Sequence, residues 1–265
     1  MASTRGPSED TSPAVCSRST ARAWSVLQEA LHDAIVDLCE GTSYLYSASN
    51  YNAILYDALI WDLLDTGAHW LNEQTDQFPS PRLATWAHLR HKTRQQEVIV
   101  FNTHFDAASR ASREYGVDQL CALMERVLRH RGGAVTQAIL MGDFNTIRGS
   151  QVHRRLRESL SQLSFADTYD IAETVGQNNT LVSYHHFFGM QVMDSPLARL
   201  LWHVIFRLHP MGVESWASSP LVPCMHIDWV FVKGGYKVAY LSPVTYDEEG
   251  RYPSDHLPIL VHLRL

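Results

Sequence analysis

The sequence predicts an α+β domain in which sheet packs on sheet and helices lie outside. Three observations lead there. Apolar runs of strand length recur along the chain, polar turns such as His91–Gln96 join neighbouring runs, and separate stretches carry apolar side chains at helical spacing. At 265 residues, one large domain with a sizeable core is expected, spanning residues 23–265.

The elements follow in order. Residues 1–22 are rich in Ser, Thr, Ala and Pro and read as disordered. They hold no continuous apolar stretch of the signal-peptide kind. Arg5, Arg18 and Arg22 would suit a transit peptide, but Glu9 and Asp10 oppose it. Trp24–Glu29 reads as a buried strand ending in a carboxylate. Residues 30–39 read as a helix, with Leu31, Ala34, Ile35 and Leu38 on one face. Asn52–Asp57 and Leu59–Asp65 read as tightly joined strands. Arg82–Arg90 and Glu97–Thr103 read as a hairpin.

Leu120, Leu123, Met124, Val127 and Leu128 mark a helix that Gly132-Gly133 should end. Ala138–Met141 is a strand running straight into Gly142-Asp143-Phe144-Asn145. Ile227–Val232 and Tyr236–Leu241 read as a hairpin around Lys233-Gly234-Gly235, and Pro258–Leu265 as a last strand. Residues 190–225 stand apart. Leu197, Leu200, Leu201, Val204, Ile205 and Leu208 outline a helix of about three turns between Pro196 and Pro210, with Arg199, His203 and Arg207 on another face. That face reads as a solvated surface or as a contact for an anionic substrate or membrane.

Composition narrows the class. Apolar residues make up 45% and charged residues 19%, which excludes a disordered or fibrous chain overall. The formal charge of −6 argues against a general nucleic-acid coat protein, though not against an enzyme with a local basic strip. No apolar run approaches the roughly 18 residues of a membrane span. Cys16, Cys39, Cys121 and Cys224 are far apart and form no CxxC pair. This opposes a disulfide scaffold or structural zinc site and suits a reducing compartment, with cytoplasm or nucleus the expected location.

Five clusters place acids, amides or histidines at the ends of apolar strands: Gln28-Glu29, Asn102–Asp106, Gly142–Asn145, His226–Trp229 and Ser254–Pro258. Strand ends converge on one rim of a sheet, so these groups can share a pocket. Glu29, Asp143, Asp228 and Asp255 are oxygen donors, which select a hard cation such as Mg²⁺ or Mn²⁺. Such a cation polarises a phosphoryl oxygen. His256 beside Asp255 can act as a general base, and Asn145 can donate to a phosphate oxygen. Taken singly, each cluster also has a plain reading: an Asx turn at Asp143, a core histidine at His104, a strand cap at Asp228, a loop at Ser254–Pro258. Trp229 and His185-His186 read either as base-stacking groups or as core.

In series, Leu27–Glu29, Pro81–Trp86, Asn102–Asp106, Gly142–Asn145, His226–Phe231 and Tyr252–Ile259 resemble the endonuclease/exonuclease/phosphatase superfamily, with Thr180–Phe188 in place of one further family segment. The resemblance runs from Leu27 to the C-terminus. It implies a four-layer α/β sandwich, two mixed sheets face to face with helices outside. It also implies roles. Glu29 is the principal metal ligand, with Asp255 near the metal. Asp143 orients or deprotonates the nucleophile, and Asn145 is its phosphate-binding partner. His256 is the catalytic histidine, oriented by Asp228. His104 binds the scissile phosphate, and Arg82 contacts phosphate. Which of His256 and Asp143 handles the water proton stays open.

One departure stands out. Family members open with a strand bearing a metal-site Asn, followed by a helix, before the strand that ends in Glu29. Only 28 residues precede Glu29 here, so that first strand is expected to be lacking. The function expected is a Mg²⁺- or Mn²⁺-dependent phosphoesterase using activated water on a nucleic acid or a phosphorylated small molecule or lipid. The alternative is an impaired or non-catalytic relative that binds phosphate-bearing ligands or a partner. A structural domain with chance motifs is the third reading.

Overall fold

The computed structural model describes residues 24–49, 51–72, 81–130, 135–176, 183–184, 226–245 and 254–264. The expectations for residues 1–22, for Gly132-Gly133, for His185-His186 and for the 190–225 segment with Arg199, His203 and Arg207 fall outside these.

The main sheet has six strands. They are β4 (Trp61–Asn72), β5 (Arg82–His91), β6 (Glu97–His104), β7 (Gln137–Asp143), β8 (Ala166–Asp167) and β9 (Asp228–Lys233). Their order is β4-β5-β6-β7-β9-β8. β5 and β6 form the expected hairpin, and β6 runs parallel to β7 through the crossover helix α2 (Arg110–His130). β7 and β9 are antiparallel.

Side-chain alternation divides this sheet into two faces. On one face Ile99, Phe101, Ala138, Leu140, Trp229 and Phe231 pack under α2 and α3 (Gln151–Gln162). On the other, Val98, Val100, Ile139, Val230 and Val232 meet the second layer of strands. That layer holds β1 (Trp24–Leu27), β3 (Asn52–Asp57) and β2 (Tyr44–Ser49) as one antiparallel sheet. β10 (Lys237–Pro243) and β11 (Ile259–Arg264) form another. β3 shows why this is an inner layer. Ile54 and Tyr56 enter the inter-sheet core, while Ala53 and Leu55 pack against Ile35 of α1 (His32–Cys39). The layers therefore run helix, sheet, sheet, helix, which is the sandwich the sequence implied.

The second layer differs in detail from that expectation. It is split into two antiparallel sheets. Among the described residues β1 pairs with β3 alone and β11 with β10 alone. Trp24 and Val26 of β1 and Val261 and Leu263 of β11 nevertheless pack on the same apolar cluster of the main sheet.

The expected hairpin of β9 with β10 is corrected. β9 belongs to the main sheet and β10 to the second layer. Gly234 and Gly235, at φ 107° and 77°, carry the chain from one layer to the other. Val230 and Val232 then meet Tyr236 and Val238 face to face across the core rather than side by side in a ladder.

β2, β8, α3 and the short α4 (Thr168–Ile171) were not anticipated. α3 buries only Val152, His153, Leu156 and Leu160 along an otherwise polar helix, and the Ser150 side chain accepts a hydrogen bond from His153 N at its start. No described helix is long and apolar enough to cross a membrane.

Gly234 gives a stability test. A Cβ there would lie 2.6 Å from Thr136 O, on a backbone that disfavours side chains. Gly234→Ala is expected to destabilise the fold by about 1–3 kcal/mol, read by urea denaturation.

Candidate active site

Register builds the site. His104 ends β6, Asp143 ends β7 and Asp228 begins β9. The pairings His104 with Asp143 and Asp143 with Asp228 set the three side by side across adjacent strands. Each lies an even number of residues from an inter-sheet core position (Val100, Ile139, Val230), so all three side chains share that face at its rim. The residues that follow lock the strand ends. Phe105 and Phe144 turn to the opposite core, their rings 5.1 Å apart. Phe105 N donates to Asp143 O and Phe144 N to Ile227 O. Asp106 Oδ1 accepts from Ala108 N and Ser109 N in the turn before α2, and Ser109 Oγ caps the helix by accepting from Ser112 N. The buried Arg113 donates to the carbonyls of Asp106 and Ala107.

Gly142 is required by the close approach of β6. A Cβ on it would stand 2.1 Å from Thr103 O. The turn then places Asn145 at φ 46°. Asn145 N donates to Asp143 Oδ1 at 2.7 Å, and its Nδ2 donates to Phe105 O at 2.9 Å and Asp143 Oδ2 at 3.2 Å. The Asx turn read at this position is thus present and belongs to the site.

His256 comes from the loop before β11. Its Nδ1 donates to Asp228 Oδ2 at 2.9 Å, and its Nε2 faces Asp143 Oδ2 at 3.8 Å. Tyr184 stacks edge-on to the His256 ring, centroids 4.9 Å apart. Ser183 ties the two halves of this pair together. Its Oγ accepts from Ile227 N and Asp228 N, and its carbonyl from Leu257 N. Ser183 was not foreseen as a site residue. A Ser among larger side chains carries no spacing signal of its own.

Electrostatics follow from burial. Burial first, and then the charge of Asp228, push the Asp143 carboxyl well above the usual carboxylate range. For His256, burial alone would lower the pKa. The hydrogen bond to Asp228 and the charges of Asp228, Asp143 and Asp255 outweigh it and raise the imidazole to about 9. His104 goes the other way. Burial, then Arg82 and His256, lower it to about 4, so it is neutral at pH 7. Arg82 Nη1 lies 3.4 Å from His104 Nδ1. Asn145 Nδ2 lies 3.2 Å from His104 Nε2, so donors face both ring nitrogens, and Nε2 is also 3.5 Å from Asp143 Oδ2.

Glu29 follows β1 at φ 55° and is exposed, its Oε1 3.8 Å from His104 Nδ1. The structure thus gathers Arg82, His104, Asp143, Asn145, Asp228 and His256 at one rim, with Glu29 against His104. Asp255 stands beside His256 and Tyr184 closely enough to raise both pKa values. Trp229 does not join them. It is 1% exposed, with Nε1 donating to Thr146 O, so of its two readings the core one holds.

The donor set suits a hard divalent cation. Ligand atoms of Asp143, Asp228 and His256 lie within 4.8 Å of one another. Glu29 and Asp255 add carboxylates whose charges are felt at the same place. Crowded carboxylates with a raised Asp143 pKa are relieved by positive charge.

Solved structures share this fold. An endonuclease/exonuclease/phosphatase from Bacteroides vulgatus superposes with TM-score 0.67 at 23% identity, over 92% of this chain and 85% of that one. This is the endonuclease/exonuclease/phosphatase fold. A mannosyl-6-phosphatase from Bacteroides thetaiotaomicron matches with TM-score 0.62 at 22% identity, over 88% of this chain and 80% of its own. D. rerio TDP2, complexed with a single-strand DNA product, matches with TM-score 0.56 at 13% identity, over 91% and 86%. No protein-family model matches the sequence, and no curated protein sequence matches it.

The His256–Asp228 pair gives a pH test. The folded pKa of about 9 exceeds the ordinary imidazole value of 6.5, so the pair stabilises fully below pH 6.5 and loses this contribution as pH rises through about 9. Asp228→Asn should lower the His256 midpoint by about 1–3 units in an NMR titration. The stability gap between wild type and variant should shrink over the same pH range.

Proposed function

We propose that the chain is a member of the endonuclease/exonuclease/phosphatase superfamily and a divalent-metal-dependent phosphoesterase that hydrolyses a phosphate ester with water. The observation that carries this reading is the Asp228–His256 hydrogen bond at 2.9 Å, set against a buried Asp143 3.8 Å from the other ring nitrogen. Glu29 and Asp255 would hold Mg²⁺ or Mn²⁺ beside Asp143. When bound, the ion supplies Lewis-acid polarisation of the phosphoryl oxygen.

The chain's own groups divide the remaining work. Asp143 would take a proton from water as the carboxylate, the form that a bound divalent cation would restore against its raised pKa. Its Oδ1 is held by Asn145 N, which leaves Oδ2 facing the site. His256, protonated at neutral pH and anchored through Nδ1, points Nε2–H at the phosphoryl group and balances developing negative charge. Asp228 fixes that orientation and keeps the proton on the ring. Arg82, the neutral His104 and, by giving up one of its present acceptors, Asn145 Nδ2 would supply donors for the non-bridging phosphate oxygens.

The substrate is a phosphate ester of a small molecule, lipid or nucleic acid. The greater similarity to the mannosyl-6-phosphatase than to TDP2 makes phosphomonoesters the first to assay. The purified chain should hydrolyse members of a panel of sugar phosphates, inositol phosphates, p-nitrophenyl phosphate, bis-p-nitrophenyl phosphate, RNA and DNA with Mg²⁺ or Mn²⁺, and not with EDTA. His256→Ala should lower kcat by about 10²–10⁴-fold. Folded protein that binds Mn²⁺ and phosphate without turnover would establish the binding-only alternative.

A further inference from the structure

Asn102 lies on β6 two residues before His104, on the same face of the main sheet, and is 0% exposed. An amide offers two N–H donations and a carbonyl acceptor. Here Nδ2 donates to Leu27 O at 2.9 Å and to Ala53 O at 3.0 Å, and Oδ1 accepts from Gln28 Nε2 at 2.6 Å. Leu27 and Ala53 are register partners in β1 and β3. One side chain of the main sheet therefore ties together two strands of the second layer at the point where β1 ends.

Glu29 comes next after Gln28. Its φ of 55° is the left-handed region that residues with a Cβ avoid. Its side chain is 78% exposed, so packing does not fix the carboxylate. What fixes it is the backbone on either side: the Gln28–Asn102 bond before it, and Ala30 N donating to Tyr51 O after it.

We infer that Asn102 and Gln28 are positioning residues that hold the Glu29 carboxylate at the metal site by clamping the end of β1 to the main sheet. This rests on the metal-dependent reading above. Asn102, sealed inside, does not touch substrate. Its effect passes through the Gln28 amide into the left-handed turn. Without the clamp the turn relaxes toward ordinary backbone angles, and the exposed Glu29 side chain sweeps a wider volume.

The test is Mn²⁺ binding by the full chain, followed by electron paramagnetic resonance, together with hydrogen exchange at the Ala30 amide. Gln28→Met keeps the shape of the side chain and removes its donor. It should weaken Mn²⁺ binding about tenfold or more and speed exchange at Ala30, while the thermal midpoint falls by only several degrees as Asn102 Oδ1 loses its donor. In a Glu29→Gln background, adding Gln28→Met should weaken Mn²⁺ no further, because the clamp acts only through that carboxylate. Asn102→Ser should repeat the loss of affinity in its folded fraction. If Glu29→Gln weakens Mn²⁺ binding and Gln28→Met does not, the positioning role is overturned while the metal reading stands. If Glu29→Gln leaves Mn²⁺ affinity unchanged, the metal role of Glu29 is overturned and the inference with it.

Discussion

A carboxylate taken out of water at the end of a central strand organises everything near it. Asp143 is 5% exposed and has the charge of Asp228 beside it. Burying such a group is tolerable only with donors and positive charge at hand. The fold provides them from three segments: Asn145 from the turn, His256 from the loop before β11, and Asp228 indirectly, by holding His256 protonated. Each donor is itself fixed by a second contact. Removing one therefore leaves a buried carboxyl group short of a partner rather than merely deleting a bond.

The two-sheet architecture is what makes this possible. Side chains at the rim of the inter-sheet face are neither in the core nor in open water. Strand ends from the main sheet and loops from the second layer both reach that rim, so ligands far apart in sequence become neighbours. Polar links between the layers then set the geometry: Asn102 to Leu27 and Ala53, and Ser183 between Asp228 and Leu257. Apolar contact between the sheets supplies adhesion without direction, whereas these hydrogen bonds fix position.

The strands β5, β6, β7 and β11 and the body of α2 were legible because apolar periodicity and turn residues coincide there. Partnering was less so. Lys233-Gly234-Gly235 reads equally as a hairpin turn and as a passage between layers, and only packing distinguishes them. α3 hid because three well-spaced apolar residues on a charged helix make a weak signal. Its N-capping Ser150 was the available clue. At the site, residues at strand ends were readable from their chemistry and order. Asn102 belonged to a recognised cluster, but a buried amide inside an apolar strand says that it needs partners without saying which. Trp229, next to Asp228, was ambiguous for the same reason: adjacent strand residues point to opposite faces.

The most direct measurement is the fate of the oxygen in hydrolysis run in ¹⁸O-labelled water with Mg²⁺, read by mass spectrometry of the products. Water activated at Asp143 should leave one ¹⁸O in the phosphate product and none in the alcohol, and Asp143→Asn should abolish the labelling. Label in the alcohol, or undiminished labelling by Asp143→Asn, would contradict the role given to this carboxylate.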